Sequence, residues 1–435
     1  MYYPPVENTF WRQFVSLFEK INGEKIVYAL VLLFPIFTVS VRHWASTIFG
    51  VFAIISLILL YFQRNDRTQL LKEEKILVWS FAAYFGVFIL TSIVNGWGQV
   101  HTRYMGVDIR FLLFVPMYLV IRQMNDWFKW LLTGCAIGII ATSIDGINDI
   151  LLNKTIVYNV AIYKGIYSPL FTGPVTLIFV AVLMACYPVL SSNKWIKLIL
   201  IMLCMLALFV VVHTGARNAY LALIVFGLLF VFNYFKGVRR WVLLGFSAII
   251  IATSILTIDI AQFKLNRAVV LYEQYFKIED PAKHQGGLTS VGTRLEMWRI
   301  TPLFFKDNPV FGVSRGKYST EVKKYINNGL AHPDSGKHGH PHNIYSEIII
   351  SKGLVGLLSF FMLTIYPLFI LIRDFRKNIN SAFPGILLIV GYLIFSLTDA
   401  STFIKGNYVA VYIIFLSVLF SYHMQNKQNM QTRLE

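Results

Sequence analysis

Charged residues and cysteines are scarce in this sequence. Only 14% of the 435 residues are charged, whereas 56% are hydrophobic and the mean hydropathy is +0.61. A soluble domain of this composition would expose large apolar patches, so the lack of charge favours a protein that crosses a membrane several times. The three cysteines, Cys135, Cys186 and Cys204, all lie in apolar runs. They form neither a disulfide framework nor a metal-spaced pair, and we expect them to be packing residues.

Acidic residues are also few, since 22 Asp and Glu stand against 39 Lys and Arg. A net charge of +17 could indicate nucleic-acid binding, but the basic residues are dispersed in short clusters between apolar runs. That pattern is typical of a membrane topology signal and does not favour a nucleic-acid partner. The first 25 residues mix acidic and basic side chains, so no cleaved signal peptide is expected.

Apolar runs of membrane-spanning length dominate the chain. A helix needs about 20 apolar residues to cross a bilayer. Twelve candidate spans meet that scale, near 26–41, 46–62, 76–94, 108–121, 128–147, 168–190, 196–213, 217–235, 241–258, 354–372, 383–398 and 407–422. The fourth is the weakest, because Asp108, Arg110 and Pro116 interrupt it. The predicted fold class is an all-α polytopic membrane protein, with residues 1–435 forming a single integral membrane domain.

The short connections between these spans carry an uneven charge. One alternating set, which includes both termini, holds 19 Lys and Arg, and the opposite set holds 7. The positive-inside rule therefore predicts that both termini are cytoplasmic. An even number of spans agrees with that prediction.

The connection at 259–343 differs from the others. It has 85 residues and holds five of the nine histidines. Parity predicts that it is a large periplasmic loop between spans nine and ten, and loops of this length commonly carry function. The stretches that begin at Asn266 and Thr293 have helical spacing, whereas 312–341 is rich in Gly, Pro, Asn and His and is expected to be irregular.

Three arginines are candidates for binding an anion at the outer side. Arg217 follows a helix-breaking stretch at 214–216 and opens the eighth span. Its planar fork suits phosphate or carboxylate, although a snorkelling helix anchor is the alternative. Arg294 follows a small polar turn that begins at Thr289 and caps the next helix. Arg267 lies in an amphipathic stretch, and a solvated face is the alternative for both.

Histidines alternate in the segment HGHPHN. His338, His340 and His342 would share one face if extended, but the absence of nearby cysteines and of acidic ligand spacing predicts no metal. His342 adjoins the membrane segment that begins at Asn343. With an unperturbed pKa it could accept a proton from a sugar hydroxyl, and a loop-capping role is the alternative. Asp399, in SLTDASTFIKGN, could orient an arginine or the histidine, or could cap a helix.

Four stretches resemble the bacterial O-antigen ligases, which join O-polysaccharide to lipid A–core. They are VHTGARNAYLAL, LTSVGTRLEMW, HPHNIYSEIIISKGLVGLL and LTDAS, in this order around one large outer loop. O-antigen polymerases and protein O-oligosaccharyltransferases of the same superfamily share this pattern and remain alternatives. A membrane transporter or flippase is an alternative from another class. It would be expected to have symmetry-related halves and broken helices at mid-membrane.

The resemblance implies a GT-C-like fold and metal-independent glycosyl transfer with inversion and without a cofactor. The donor would be O-polysaccharide on undecaprenyl diphosphate, the acceptor lipid A–core, and the location the inner membrane of a Gram-negative bacterium, with the site on the periplasmic side. The functional arginines of the family fall on Arg217 and Arg294, with Arg267 a looser match, and the base falls on His342. His340, Asn343 and Asp399 would support these residues.

Overall fold

The computed structural model describes residues 23–62, 69–124, 127–152, 156–157, 160–161, 163, 165, 168–190, 193–245 and 259–432. Its helices are α1 (Gly23–Thr38), α2 (Trp44–Phe62), α3 (Lys72–Val94), α4 (Gln99–Gln123), α5 (Trp127–Leu151), α6 (Pro169–Leu190), α7 (Lys194–His213), α8 (Arg217–Tyr234), α9 (Asp259–Phe276), α10 (Ser290–Arg299), α11 (Thr301–Asp307), α12 (Tyr318–Asn327), α13 (Ile344–Asp374), α14 (Ile379–Phe395), α15 (Ser401–Ile404) and α16 (Gly406–Thr432). Short 3-10 helices lie at Pro281–Lys283 and Pro333–Lys337, and β1 (Ile156–Val157) pairs antiparallel with β2 (Val160–Ala161).

The predicted all-α, multi-pass membrane architecture is confirmed for the described part of the chain. Nine of the described helices, α2 to α8, α13 and α16, are long and apolar enough to cross a membrane. Helix α14 is apolar but has 17 residues, and α1 has 16. The ninth predicted span, 241–258, lies outside the described residues beyond position 245, as do residues 1–22. Twelve spans therefore stay a prediction.

Helices α6 and α16 form the centre of the bundle. Within their apolar windows 83% and 89% of residues are buried, against 22% to 50% in the other candidate spans. The outer helices expose large apolar side chains such as Trp79 and Ile54, which in a bilayer contact lipid. All three cysteines are buried and unpaired, as predicted.

Helix α4 contradicts the expectation that polar residues weaken the fourth span. It is one continuous helix of 25 residues, and Asp108 is fully buried in it. Arg315 and Lys352 both pair with this carboxylate. The pairing explains why the charge is tolerated, because buried charges persist in membrane proteins when they are matched.

Helix α13 begins ten residues before the predicted tenth span, 354–372, and is interrupted at Gly353. This residue has φ of 60°, and a Cβ added there would lie 2.5 Å from the Val310 carbonyl oxygen. The interruption leaves backbone groups for the large connection to bind. The Leu354 N–H donates to the Pro309 carbonyl over 2.8 Å, and the Val313 N–H donates to the Ile350 carbonyl over 2.8 Å. Segment 309–314 is thereby fastened to a membrane helix.

The large connection at 259–343 is more ordered than the sequence suggested. Helices α9, α10 and α11 confirm the predicted helical stretches. The expectation that 312–341 is irregular is wrong in part, because α12 buries Tyr318, Val322 and Tyr325 on one face. These pack with the buried Met297 and Phe304 into a small separate core. Only four apolar residues, Tyr318, Val322, Tyr325 and Ile326, carry the helical period of α12, and flanking glycines hide it in the sequence.

Candidate functional site

The turn between α7 and α8 presents Arg217 as the sequence predicted. Helix α7 ends at His213, and α8 begins at Arg217. Between them Gly215 has φ of 65°, and the Thr214 hydroxyl donates to the Val211 carbonyl over 2.7 Å and accepts from the Ala216 N–H over 3.3 Å. Arg217 is exposed at the N-terminus of a helix, where free N–H groups and the helix dipole favour an anion.

Arg294 lies near the start of α10, and the predicted cap of that helix is confirmed. The Thr289 hydroxyl accepts from the Gly292 N–H over 3.0 Å. Arg294 is half-buried, and burial lowers the pKa of its guanidinium while the charge of Asp399 acts in the opposite direction. A desolvated guanidinium binds an anionic ligand more strongly than one in water.

Glu296 holds α10 in position from within the large connection. Its buried carboxylate accepts from the Tyr275 hydroxyl over 2.8 Å, from Arg299 over 2.7 Å and from the His332 N–H over 2.8 Å. Burial by itself raises the pKa of Glu296, but these hydrogen bonds outweigh burial and hold the pKa below its ordinary range. The orientation of Arg294 thus depends on a carboxylate that is fully satisfied by protein groups.

The three histidines form a cluster in which their rings are in contact. The ring centroids of His340 and His342 are 4.5 Å apart, and those of His338 and His342 are 4.8 Å apart. His342 has φ of 53°, and its N–H donates to Nδ1 of His340 over 3.3 Å. The Trp298 indole N–H donates to the Pro341 carbonyl over 2.9 Å, so α10, which carries Arg294, also fixes the histidine segment.

The pKa of His342 lies well below that of an ordinary histidine. Burial, followed by the charges of His340 and Arg294, lowers the pKa of His342 to about 3. Burial likewise lowers the pKa of His340 to about 4, although Asp399 opposes the shift. The expectation of an unperturbed pKa is therefore wrong, because the cluster is buried and also sits beside cations. Both imidazoles are neutral at pH 7 and can accept a proton.

Asn343 is a helix cap. Its side-chain oxygen accepts from the Tyr345 N–H over 2.9 Å and the Ser346 N–H over 3.1 Å, and its side-chain nitrogen donates to the Leu397 carbonyl over 2.9 Å. These bonds set the start of α13 and tie it to the segment that leads to Asp399. The geometry gives Asn343 a positioning role next to His342.

Asp399 is buried, and each of its two oxygens has a different environment. Oδ1 accepts from the Ser401 N–H over 2.9 Å, which is the helix-capping role considered from the sequence. In the described part of the chain, no donor reaches Oδ2. The charge of Asp399 acts on both Arg294 and His340. Asp399 therefore faces the cluster while holding the segment behind it.

The structure brings the candidate residues together from distant parts of the sequence. Arg217 is influenced electrostatically by Arg267, which is exposed on α9, and by Arg294. Arg294 in turn acts on His340 and His342. Across residues that can be described, no three His, Cys, Asp or Glu side chains are arranged to hold a metal ion. The arrangement is a basic surface that adjoins neutral imidazoles, and this combination can bind a diphosphate and accept a proton.

Sequence reasoning missed two features of this end of the bundle. Lys405 acts electrostatically on both His340 and His342, and its only sequence signal is its position six residues after Asp399. Arg315 is buried between α4 and α15, where it pairs with Asp108 and donates to the Ile404 carbonyl over 2.8 Å. No local motif identifies Arg315, because its partner lies 207 positions earlier in the chain.

Comparison with known proteins adds two findings. Residues 202–361 match a protein-family model described as O-antigen ligase. The matched region includes Arg217, Arg267, Arg294 and His342 and ends before Asp399. An uncharacterized protein of Haemophilus influenzae is similar, with 22% identity over 309 residues, which cover 71% of this chain and 74% of that protein.

Proposed function

We propose that this chain, a member of the O-antigen ligase/polymerase superfamily, transfers O-polysaccharide from undecaprenyl diphosphate to a hydroxyl group of lipid A–core. The observation that carries the proposal is that α10, the helix of Arg294, is bonded through Trp298 to the Pro341 carbonyl, between His340 and His342, over 2.9 Å at one end of a multi-pass bundle. The site would open to the periplasm of a Gram-negative inner membrane, and both termini would be cytoplasmic.

The arginines supply the charge that the donor requires. Arg217, Arg294 and Arg267 bind the diphosphate, and the helix N-terminus at Arg217 adds N–H groups. As the bond between the anomeric carbon and the diphosphate oxygen breaks, the electron pair leaves with undecaprenyl diphosphate. Stabilisation of that developing charge is usually the largest single contribution to catalysis, and it needs no divalent ion here.

The histidine accepts the proton that the acceptor loses. As the acceptor oxygen bonds to the anomeric carbon, with inversion, its proton passes to His342. A pKa of about 3 makes His342 a weak base in the empty site. The bound diphosphate partly neutralises Arg294, one of the cations that lower this pKa, and so strengthens the base when the donor is present. His340, Asn343 and Asp399 position His342.

The test is a reconstituted transfer assay with purified protein and undecaprenyl-diphosphate-linked polysaccharide. Parallel reactions offer lipid A–core, a second polysaccharide chain or a protein as acceptor, and product is measured by gel mobility. Ligase activity predicts transfer to lipid A–core alone. Transfer only to polysaccharide or only to protein would instead identify the polymerase or the protein O-oligosaccharyltransferase.

His342→Ala should lower transfer about 10²- to 10⁴-fold, the usual contribution of a general base. His284→Ala is the matched control, because His284 is an exposed histidine of the same connection. We expect this variant to keep full activity, and we expect both variants to fold. Activity should also survive EDTA, and a loss that zinc or magnesium reverses would require a metal-dependent mechanism instead.

A further inference from the structure

A cavity of about 140 Å³ lies beside Asp399, whose segment is bonded through the Leu397 carbonyl to Asn343, next to the histidine cluster. It lies between the start of α6, the segment that contains Asp399, and the start of α16. Its polar lining consists of Ser168, Asp399, Ser401, Lys405 and Asn407. The Haemophilus relative is uncharacterized and the family match ends at residue 361, so neither gives these groups a role.

The charges of the cavity lining balance. Lys405 is exposed and contributes one ammonium group, and Asp399 contributes one carboxylate that is 3% exposed. Oδ2 of that carboxylate has no donor within the described residues, which leaves a buried acceptor for a ligand hydroxyl. Such an orphaned acceptor costs free energy unless a ligand or water satisfies it. A neutral group rich in hydroxyls fits this lining better than a second phosphate does.

The remaining walls of the cavity are apolar and firmly held. Leu170, Phe171 and Tyr408 form them. The Tyr408 hydroxyl donates to the Leu170 carbonyl, and the Phe171 and Tyr408 rings meet edge to face with centroids 4.8 Å apart. An apolar wall opposite a polar rim matches a sugar ring, which has C–H faces and a hydroxyl edge. The volume of about 140 Å³ corresponds to about five waters at roughly 30 Å³ each, so the cavity accommodates at most one sugar ring and excludes a chain.

The placement of the charged groups indicates whether a sugar ring in this cavity would belong to the donor or to the acceptor. Arg217 is influenced by Arg267 and Arg294, whereas Lys405 acts on the histidines. Asp399 acts on Arg294 as well as on His340, so the cavity borders both the arginines and the histidines, but the three arginines that suit a diphosphate stand outside its lining. In an in-line displacement the leaving diphosphate and the attacking hydroxyl lie on opposite sides of the anomeric carbon. The diphosphate takes the arginine end, and the acceptor takes the other.

We propose that this cavity, between Asp399 and Lys405, binds the acceptor sugar ring and directs its hydroxyl towards His342. Its walls at Leu170, Phe171 and Tyr408 contact the apolar face of the ring, and Asp399, Lys405 and Asn407 bind its other hydroxyls. The assignment rests on the proposed function, because it presupposes a glycosyl acceptor.

Two variants test the assignment in the full-length protein. Lys405→Met removes the ammonium at nearly constant length, and Ser168→Phe fills the cavity. Lys323→Met, at an exposed lysine of α12, is the control. We expect the KM for lipid A–core to rise about tenfold or more, the effect of losing a hydrogen bond to a charged group. The KM for the lipid-linked donor and the binding of undecaprenyl diphosphate should stay unchanged.

Other outcomes overturn the assignment. A rise in the donor KM alone would place the donor sugar in the cavity, and unchanged constants in both variants would mean that no sugar binds there. If the wild-type protein transfers nothing, the proposed function fails. Saturation-transfer NMR with methyl glucoside and methyl galactoside then tests separately whether the cavity binds a sugar. Signal that is lost in Lys405→Met and Ser168→Phe supports a sugar site, and absence of signal in the wild type rejects it.

Discussion

The ammonium nitrogen of Lys352 lies 3.0 Å from Oδ1 of Asp108, although the two residues are 244 positions apart. Arg315 takes the other carboxylate oxygen, and Lys352 also lies over the Tyr84 ring at 3.8 Å. This buried cluster joins α4, α13 and the large connection. A carboxylate that holds two buried cations is difficult to replace, because its loss leaves both cations unpaired.

Asp108→Asn should therefore destabilise the protein by about 3–5 kcal/mol, the usual effect of removing one partner of a buried ion pair. Thermal unfolding in detergent measures the change. Lys352→Met on the Asp108→Asn background should recover part of the loss, since one unpaired cation is then removed. Equal stability of wild type and Asp108→Asn would mean that the cluster does not secure the connection to the bundle.

Arg294 should be needed both for its charge and for its shape. We expect Arg294→Ala to lower kcat/KM about 10²- to 10³-fold, as for the loss of one group that stabilises transition-state charge. Arg294→Lys should recover only part, because lysine keeps the charge and loses the planar fork. Arg103→Lys, an exposed arginine near the start of α4, is the control. Full activity of Arg294→Ala would remove this residue from the diphosphate site.

The lowered pKa of His342 predicts an unusual pH profile. The neutral imidazole is the base, so in the free enzyme this form persists down to about pH 3. We expect kcat/KM, which reports the free enzyme, to stay nearly constant from pH 8 to 5. An ordinary histidine with a pKa of about 6.5 would lower kcat/KM about 30-fold at pH 5. A decline centred near pH 6.5 would contradict the desolvated cluster.

The same pKa shifts make the stability of the folded protein depend on pH. The folded-state pKa values of His340 and His342 lie below the unfolded value of about 6.5. Below pH 6.5 the unfolded chain binds more protons than the folded chain, so stability is full above that pH and falls as the pH drops towards 4. Circular dichroism at each pH shows whether a loss of activity at low pH comes from unfolding or from protonation of the catalytic base.

The proposed orientation can be tested by thiol labelling. The three native cysteines are buried, and replacing them gives a background for single new cysteines. Lys283→Cys, on the connection that carries Arg294, should react with a membrane-impermeant reagent in cells whose outer membrane is permeabilised. Arg376→Cys should be protected, because the part of α13 after Gly353, about 21 residues or roughly 32 Å long, separates the site from that end. The reverse pattern would place the site in the cytoplasm.

Local sequence pattern was sufficient for several elements of the site. The break at 214–216 and the Thr289 cap are short-range features, because a turn or a cap is made by neighbouring residues. Arg217 and Arg294 could be singled out as candidates for that reason. The beginning of α13 at Asn343 was anticipated from the sequence, whereas its interruption at Gly353 was not, because segment 309–314 stabilises that interruption and the local sequence alone does not reveal it.

The chain can be recognised as a multi-pass helical membrane protein from its amino-acid sequence, since apolar length is a property of contiguous residues. The sequence also singled out the arginines and histidines. Three features could be seen only once the helices were packed. They are the lowered pKa of His342, the pairing of Asp108 with Arg315 and Lys352, and the cavity beside Lys405. Each of these depends on burial and on charges brought together from distant segments, and neither quantity exists until the helices have packed.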